Sequence, residues 1–582
     1  MRRSAPAANR QAPPIRRSLS SGSDVCKVEG DPMSELVIRG GTVVDGTGSP
    51  GRQADVAIDG GRVTAIGRRL DGERVLSAEG HVVAPGFIDI HTHYDAQVFW
   101  DPCLTPSCFH GVTTVVAGNC GFSIAPTRSE HRDLIAHTLE NVEDMDVSAL
   151  RAGIPWDFST FPEYLSSVER HGLGLNFAAY LGHTALRLFV MGDDAYERAA
   201  TPEEITRMQA VLKEGLEAGA AGFATSSAPT HFGAGGKRIP SRFAERQELE
   251  ALLATLGSVG LGAAGFAPGD VPIDDLYDLQ LATGVPFTYG ALLTFPTGQH
   301  RRLLEVNRSG WDRGAQVWPQ VSPRPLCFTM KMTEPFTLNL NPIFAELIGA
   351  PVAARVQAYG DPAWRQKVLD AWAESTRMAP RWDTYVFAES VTHPEVIGRR
   401  LLDLATEQGV GPLDALLDLA AEEPELRIAN FLANDDTDEV AQLLVQEHVT
   451  LGLSDAGAHV GQLCDAPQAT DFLGNWVRDR GIMPIEEAVR RLTSQQADIF
   501  TMTDRGRLVP GAWADVVVFD PETVSPGPTR RTADFPAGAE RLTADQPTGI
   551  RHILVNGTPT QVDGVHDFAV RSGQLVKPGP RD

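Results

Sequence analysis

From Glu35 onward the chain opens with short β-branched runs. Residues 36–45 and 54–67 carry Asp-Gly and Gly-Gly turn signals between apolar stretches, which predicts a small sheet rich in hairpins. The same texture returns at 514–520 and 551–557. Two β-rich ends around a long middle predict one small domain built from both termini. The middle, roughly 85 to 500, alternates apolar runs with amphipathic helical stretches, as βα units require. In 202–217, for example, Ile205, Met208, Leu212 and Leu216 recur at helical spacing. The strand candidates are 86–91, 112–118, 174–181, 221–225, 260–266, 284–292, 315–321, 427–432 and 448–453. That is one more than an eight-stranded barrel uses. The run broken by Pro319 is the first suspect, since proline cannot donate to a ladder. Residues 322–425, rich in Trp, Phe and Pro, read as a mostly helical insertion over the barrel mouth. The expected fold class is α/β: a (β/α)8 TIM-type barrel at 85–500, with a small β-sandwich domain from 33–84 and 501–582.

Composition narrows the partners more than the chemistry. At 582 residues, 42% hydrophobic and 22% charged, the chain is an ordinary globular protein long enough for a large domain plus a smaller one. No run of about 18 apolar residues predicts a membrane span. A formal net charge of −24 argues against nucleic acid and anionic membrane surfaces as partners and says little about substrate; a small-molecule substrate is expected from the candidate site below. Six cysteines are too sparse for a disulfide scaffold and suit a reducing, cytoplasmic compartment. In residues 1–32 five arginines precede the first acid, Asp24, amid Ser, Pro and Ala. A transit peptide has that composition; a disordered tail ahead of Met33 is the simpler reading.

Polar chemistry gathers where the apolar runs end, which is where a barrel of this kind carries its site. The first run ends in His91-Thr92-His93, the second in Gly118-Asn119-Cys120-Gly121, the third in Gly182-His183-Thr184 and the last in Ser454-Asp455. A bare His-x-His is more often a hydrogen-bonded pair than a metal site. Two imidazoles about 7 Å apart along a strand can nevertheless converge on one divalent ion. Cys120 alone reads as a small buried hydrophobe, and Asp455 alone as a helix cap. Beside His91 and His93, on strands that a closed barrel makes neighbours, both read better as ligands, and Asp455 also as a base. His183 is open between ligand, substrate contact and structural residue; with Tyr289 of the sixth run it is the expected substrate contact. His231 and His459 are expected in loops near the mouth, and Asp95 and Asp101 as turn residues or groups orienting an imidazole.

The stretch from Pro85 through His93 resembles the first-strand signature of the amidohydrolase superfamily. Gly118-Asn119-Cys120-Gly121, the run from Leu181 to Arg187 and the run from Asp504 to Asp520 are similar to its N-acyl-D-amino-acid deacylase (D-aminoacylase) branch. The resemblance spans about 35 to 557 in the expected order. It implies a metal site of His91, His93, Cys120 and Asp455, with Asp455 as general base in metal-assisted amide hydrolysis. This sequence departs from the branch at the fifth and sixth strands. There the family has two further histidines, and a lysine near the substrate's carboxylate. Here stand Gly262-Ala263-Ala264-Gly265-Phe266-Ala267-Pro268 and Pro286-Phe287-Thr288-Tyr289-Gly290. The expectation is therefore one zinc per chain, acting on a linear C–N bond most like that of an N-acyl-D-amino acid. The alternatives are a hydrolase of cyclic amides such as hydantoins or dihydropyrimidines, and a non-catalytic binding barrel. Against the cyclic amides, the fourth strand ends in Thr225-Ser226-Ser227 where that group usually carries a metal-bridging lysine. The aromatics of the insertion (Trp364, Trp372, Trp382, Phe387) suit either a lid or a homo-oligomer interface.

Overall fold

A computed structural model of the chain describes residues 33–374 and 379–581; the tail expected over 1–32 lies outside them. Eight strands form the barrel: β1 Phe87–Asp89, β2 Val112–Ala117, β3 Asn176–Gly182, β4 Gly222–Ser226, β5 Ala263–Ala267, β6 Phe287–Tyr289, β7 Val317–Val321 and β8 Thr450–Leu451. They pair in parallel and in chain order. The ring closes beyond the strand ends, where Thr92 bridges Ala456 in parallel and His93 N donates to Ala456 O at 2.8 Å.

Strand alternation sorts the apolar residues into two cores. Ile88, Ile90, Val116, Ala178, Tyr180 and Ala224 fill the barrel interior together with Phe500 and Met502 from near its C-terminal end. The opposite parity, with Val115, Phe177, Leu181, Phe223, Phe287 and Tyr289, packs outward on the helices. Both parities being buried explains why these strands read as continuous apolar runs.

The suspicion of Pro319 was misplaced. It lies in β7 opposite Tyr289 of β6, and pairing to β8 begins only at Gln320, so its missing N–H is tolerated. The supernumerary strand is Arg427–Ala433. It runs antiparallel between Leu326–Lys331 and Val386–Glu389 in a separate three-stranded sheet. The segment between β7 and β8 therefore combines this sheet with helices such as Val352–Tyr359, Pro362–Glu374 and Pro412–Glu422 around its own core of Met330, Phe344, Phe387, Leu416 and Ile428.

The chain ends meet in one nine-stranded sheet. Val516–Phe519 pairs antiparallel with Val82–Pro85 and with Ile550–Val555, joining the C-terminal strands to the N-terminal ones. Val43, Val83, Val516 and Val518 enclose a core within this domain, while Val82, Ala84, Val517 and Phe519 turn to the barrel. Strand period two thus fixes β1, which follows directly on Pro85, against the small domain.

Candidate active site

The four site residues come from loops after three barrel strands: His91 and His93 after β1, Cys120 after β2 and Asp455 after β8. β1 stops at Asp89 and does not continue through His93, so the two imidazoles stand on the loop beyond the strand and not along it as expected. The Asp89 carboxylate accepts from His91 N at 3.2 Å and from Gln468 Nε2 at 3.4 Å. The following residues are clamped: Asn119 Nδ2 donates to Val116 O at 2.9 Å and Ile90 O at 3.1 Å, and Ser454 Oγ donates to His91 O at 2.8 Å. Thus the Asn of Asn-Cys-Gly and the Ser of Ser-Asp hold the histidine loop from both sides. The two imidazoles converge with ring centroids 5.5 Å apart.

Cys120 and Asp455 both adopt left-handed backbone, with φ of 54° and 44°. That region is uncommon for non-glycine residues, and such strain concentrates at functional sites. For Cys120 the flanking Gly121 is required, because a Cβ there would stand 2.9 Å from Ala224 O.

The donor atoms of His91, His93 and Cys120 lie within 4.8 Å of one another, the one such cluster among the described residues. His91 Nε2 is 3.8 Å from Cys120 Sγ and 3.0 Å from Asp455 Oδ1, which is also 3.7 Å from His93 Nε2. His91, His93 and Asp455 are buried and Cys120 half-buried, and burial alone would discharge these groups; the mutual field reverses that. Burial lowers His91, but the Asp455 carboxylate holds it up, to about 10. Burial raises Asp455, yet the imidazoles of His91 and His93 keep it well below the usual carboxylate range. The Cys120 thiol, which burial would push up, is drawn below its ordinary value by the same two rings. An anionic oxygen, a thiol biased toward thiolate and two imidazoles that would give up their protons to a metal are a donor set that suits zinc.

Two supporting residues escaped the sequence reading. Gln320 of β7 accepts from His91 Nδ1 and donates Nε2 to Thr288 Oγ1 at 3.3 Å, so Nε2 of the ring is turned toward Cys120 and Asp455. Glu143 Oε1 stands 3.1 Å from His93 Nδ1, a close ionic contact rather than an aligned hydrogen bond. Glu143 ends the helix Arg132–Glu143 on its buried stripe with Ile135, Leu139 and Val142, and a carboxylate on an apolar helix face was the available signal. Groups that orient metal-binding imidazoles typically matter about 10–100-fold in metal affinity. Gln320→Leu is expected to weaken metal binding within that range, measured by competition with a chromogenic chelator; unchanged affinity would reduce Gln320 to packing.

The two expected substrate contacts lie elsewhere. His183 is wholly buried, its Nδ1 paired with Thr225 Oγ1 and its Nε2 with Glu248 Oε1, each at 2.8 Å. Tyr289 has the outward strand parity and lies wholly buried among the helix-facing residues. Neither reaches the cluster. His231 and His459 do lie nearby, within the field of Glu143 and Asp455. A Cβ on Gly290, just past β6, would stand 2.9 Å from His91 Cε1, so backbone there packs directly on the ring.

The amidohydrolase family profile matches residues 74–561. An N-acyl-D-glutamate deacylase of Alcaligenes xylosoxydans xylosoxydans is 31% identical over 538 residues, covering 90% of this chain and 93% of its own. The crystal structure of N-acyl-D-glutamate deacylase from Bordetella bronchiseptica, complexed with zinc and a phosphonate mimic of the tetrahedral intermediate, superposes with a TM-score of 0.65 at 28% identity, covering 94% of this chain and 100% of that one. A D-aminoacylase structure described by its binuclear metal centre, with one-metal activation and second-metal attenuation, gives the same TM-score of 0.65 at 25% identity, covering 94% and 100%. The chain belongs to the amidohydrolase family, as a hydrolase of carbon–nitrogen bonds other than peptide bonds.

Proposed function

We propose that this protein hydrolyses the linear amide of an N-acyl-D-amino acid, using a single zinc ion and Asp455 as general base. The observation that carries the reading is the convergence of His91, His93, Cys120 and Asp455 from three loops, each residue locked by its own neighbours. These residues would hold the ion. Bound there, zinc would lower the pKa of a water and polarise the scissile carbonyl. Asp455, held ionised by the facing imidazoles, accepts the proton of the attacking water and delivers it to the leaving nitrogen. Gln320 and Glu143 keep the two rings turned to the reacting side. The strand ends favour one ion over two: β5 and β6 close with Ala267 and Tyr289, and Gly290 packs on His91. The related D-aminoacylase has a binuclear centre, but the one-metal activation described for it is consistent with a single ion sufficing for activity.

Metal analysis of the purified protein is expected to find about one zinc per chain, lost in His91→Ala. A panel of N-acyl-D-amino acids, N-acyl-L-amino acids and hydantoins identifies the substrate, with turnover expected for the D series. A well-folded protein without metal that gains no activity with added zinc would end the hydrolase reading; turnover of cyclic amides alone would end the deacylase reading.

A further inference from the structure

One histidine beside the cluster has no part in the mechanism above. His231, half-buried, lies in the loop after β4. The end of that strand packs against the Cys120 turn: a Cβ on Gly121 would stand 2.9 Å from Ala224 O and 3.1 Å from Thr225 Cα. The next residue, Ser226, holds the ring, its Oγ 2.7 Å from His231 Nδ1. The loop is itself anchored, with Ser227 N on Ala267 O at 2.9 Å, Val271 N on Ser227 Oγ at 3.1 Å and His231 N on Ala228 O at 3.3 Å. Thr230 and Phe232 line the cavity that opens under the insertion, whereas the ring of His231 lies 5.1 Å from that of Phe122, two residues beyond Cys120. The charged groups acting on it are those of the site: Glu143, His459, His93 and Asp455.

The hydrogen bonds assign the proton of the ring. Ser226 Oγ already accepts from Ala228 N at 3.1 Å, and its hydroxyl hydrogen has no acceptor other than His231 Nδ1 among the described residues. The hydroxyl therefore donates to Nδ1, which leaves the ring proton on Nε2. Nε2 has no hydrogen-bond partner among the described residues; unlike Nδ1 of His459, which is buried without one, it keeps contact with solvent. Burial pushes His231 down to about 4 against the pull of Glu143 and Asp455, so the ring is neutral near pH 7. With its lone pair occupied by Ser226, such a ring cannot serve as a base at Nε2. It can give a hydrogen bond to an oxygen that gains charge, and a donor already oriented before the reaction is the kind that stabilises one.

We propose that His231 is a catalytic residue whose Nε2–H donates to the scissile carbonyl oxygen as that oxygen becomes an anion, with Ser226 the positioning residue that fixes the tautomer. Water adds to the amide carbon and the carbonyl π pair moves onto oxygen, where the N–H meets it. The pair returns as the C–N bond breaks and the proton held by Asp455 goes to nitrogen. No proton leaves Nε2 at any step. The assignment deepens the amide-hydrolase reading and takes its substrate from it; the preference for a tetrahedral anion is measurable without turnover, so the test has two arms.

Calorimetry on the zinc-loaded protein with methylphosphonate, a tetrahedral anion, and acetate, a planar one, is the first arm. His231→Leu is expected to weaken methylphosphonate at least tenfold and to leave acetate nearly unchanged, with zinc content equal to that of the parent. His231→Gln, whose amide nitrogen reaches the place of Nε2, should recover most of the loss. Kinetics with an N-acyl-D-amino acid form the second arm. His231→Leu should lower kcat by about 10²-fold at nearly constant KM, as loss of one oxyanion donor does, and His231→Gln should regain at least tenfold. Ser226→Ala frees the tautomer and should fall between; it tests the donor if the His231 variants fold poorly. The proposal is overturned if methylphosphonate does not bind the parent, if His231→Leu weakens both anions alike or neither, or if that variant loses its zinc. It is also overturned if kcat falls less than tenfold, or if glutamine does no better than leucine. Methylphosphonate binding that obeys the variants in a protein that hydrolyses no amide would keep the donor and remove the deacylase reading.

Discussion

Exchanging Asp455 for asparagine is expected to lower kcat by about 10²–10⁴-fold, the usual contribution of a positioned general base. The substitution keeps the shape and one oxygen near His91 and His93, and removes the negative charge that on the proposed mechanism takes and returns the proton. Because Asp455 Oδ1 lies 3.0 Å from one ring nitrogen and 3.7 Å from the other, the same oxygen would also help to hold the proposed ion. Measuring zinc content alongside kcat separates the two roles. Loss of turnover with zinc retained marks the base; loss of both marks the ligand. A variant that keeps its zinc and works within tenfold of the parent would move the base elsewhere, with Glu143 the next carboxylate in the site.

How much of this site could be read from residues alone depends on the kind of contact. His91, His93, Cys120 and Asp455 were legible because each directly follows an apolar run, and strand ends are where a barrel gathers chemistry. The barrel strands were legible for the same reason: both faces are buried, so the runs stand out even where Pro319 interrupts one. Which ninth run lay outside the barrel was not legible. Arg427–Ala433 has strand composition, and only its partners, 326–331 and 386–389, place it in the insertion sheet. Gln320 and Glu143 were hidden because their roles are set by a single tertiary contact each. His183 and Tyr289 misled in the opposite way. A polar residue at a strand end faces either the mouth or the helix layer, and one residue of offset decides which.

His183 belongs to a buried charged group whose loss is expected to be the largest structural effect available in the barrel. Glu248, from the helix Arg246–Val259, pairs with both His183 and Arg187, and all three are essentially inaccessible. Arg187 Nη2 also donates to Arg198 O at 2.8 Å, so its guanidinium is fixed in place. Glu248→Gln would strand that cation in the core. Removing one partner of a buried pair typically costs about 3–5 kcal/mol, measurable by urea unfolding at neutral pH. The pH dependence follows from the direction of the shift. Burial raises the Glu248 pKa, but His183 and Arg187 outweigh it and hold the carboxylate below its ordinary value of 4.5. A depressed carboxylate contributes stability that is fully present above the unfolded-state pKa and is lost as pH falls through the folded one. The gap between parent and variant should therefore be widest near neutrality and narrow in acid, where Glu248 itself becomes neutral. An unfolding free energy unchanged at every pH would overturn this account of Glu248, and a raised KM in the variant would bring His183 back as a substrate contact.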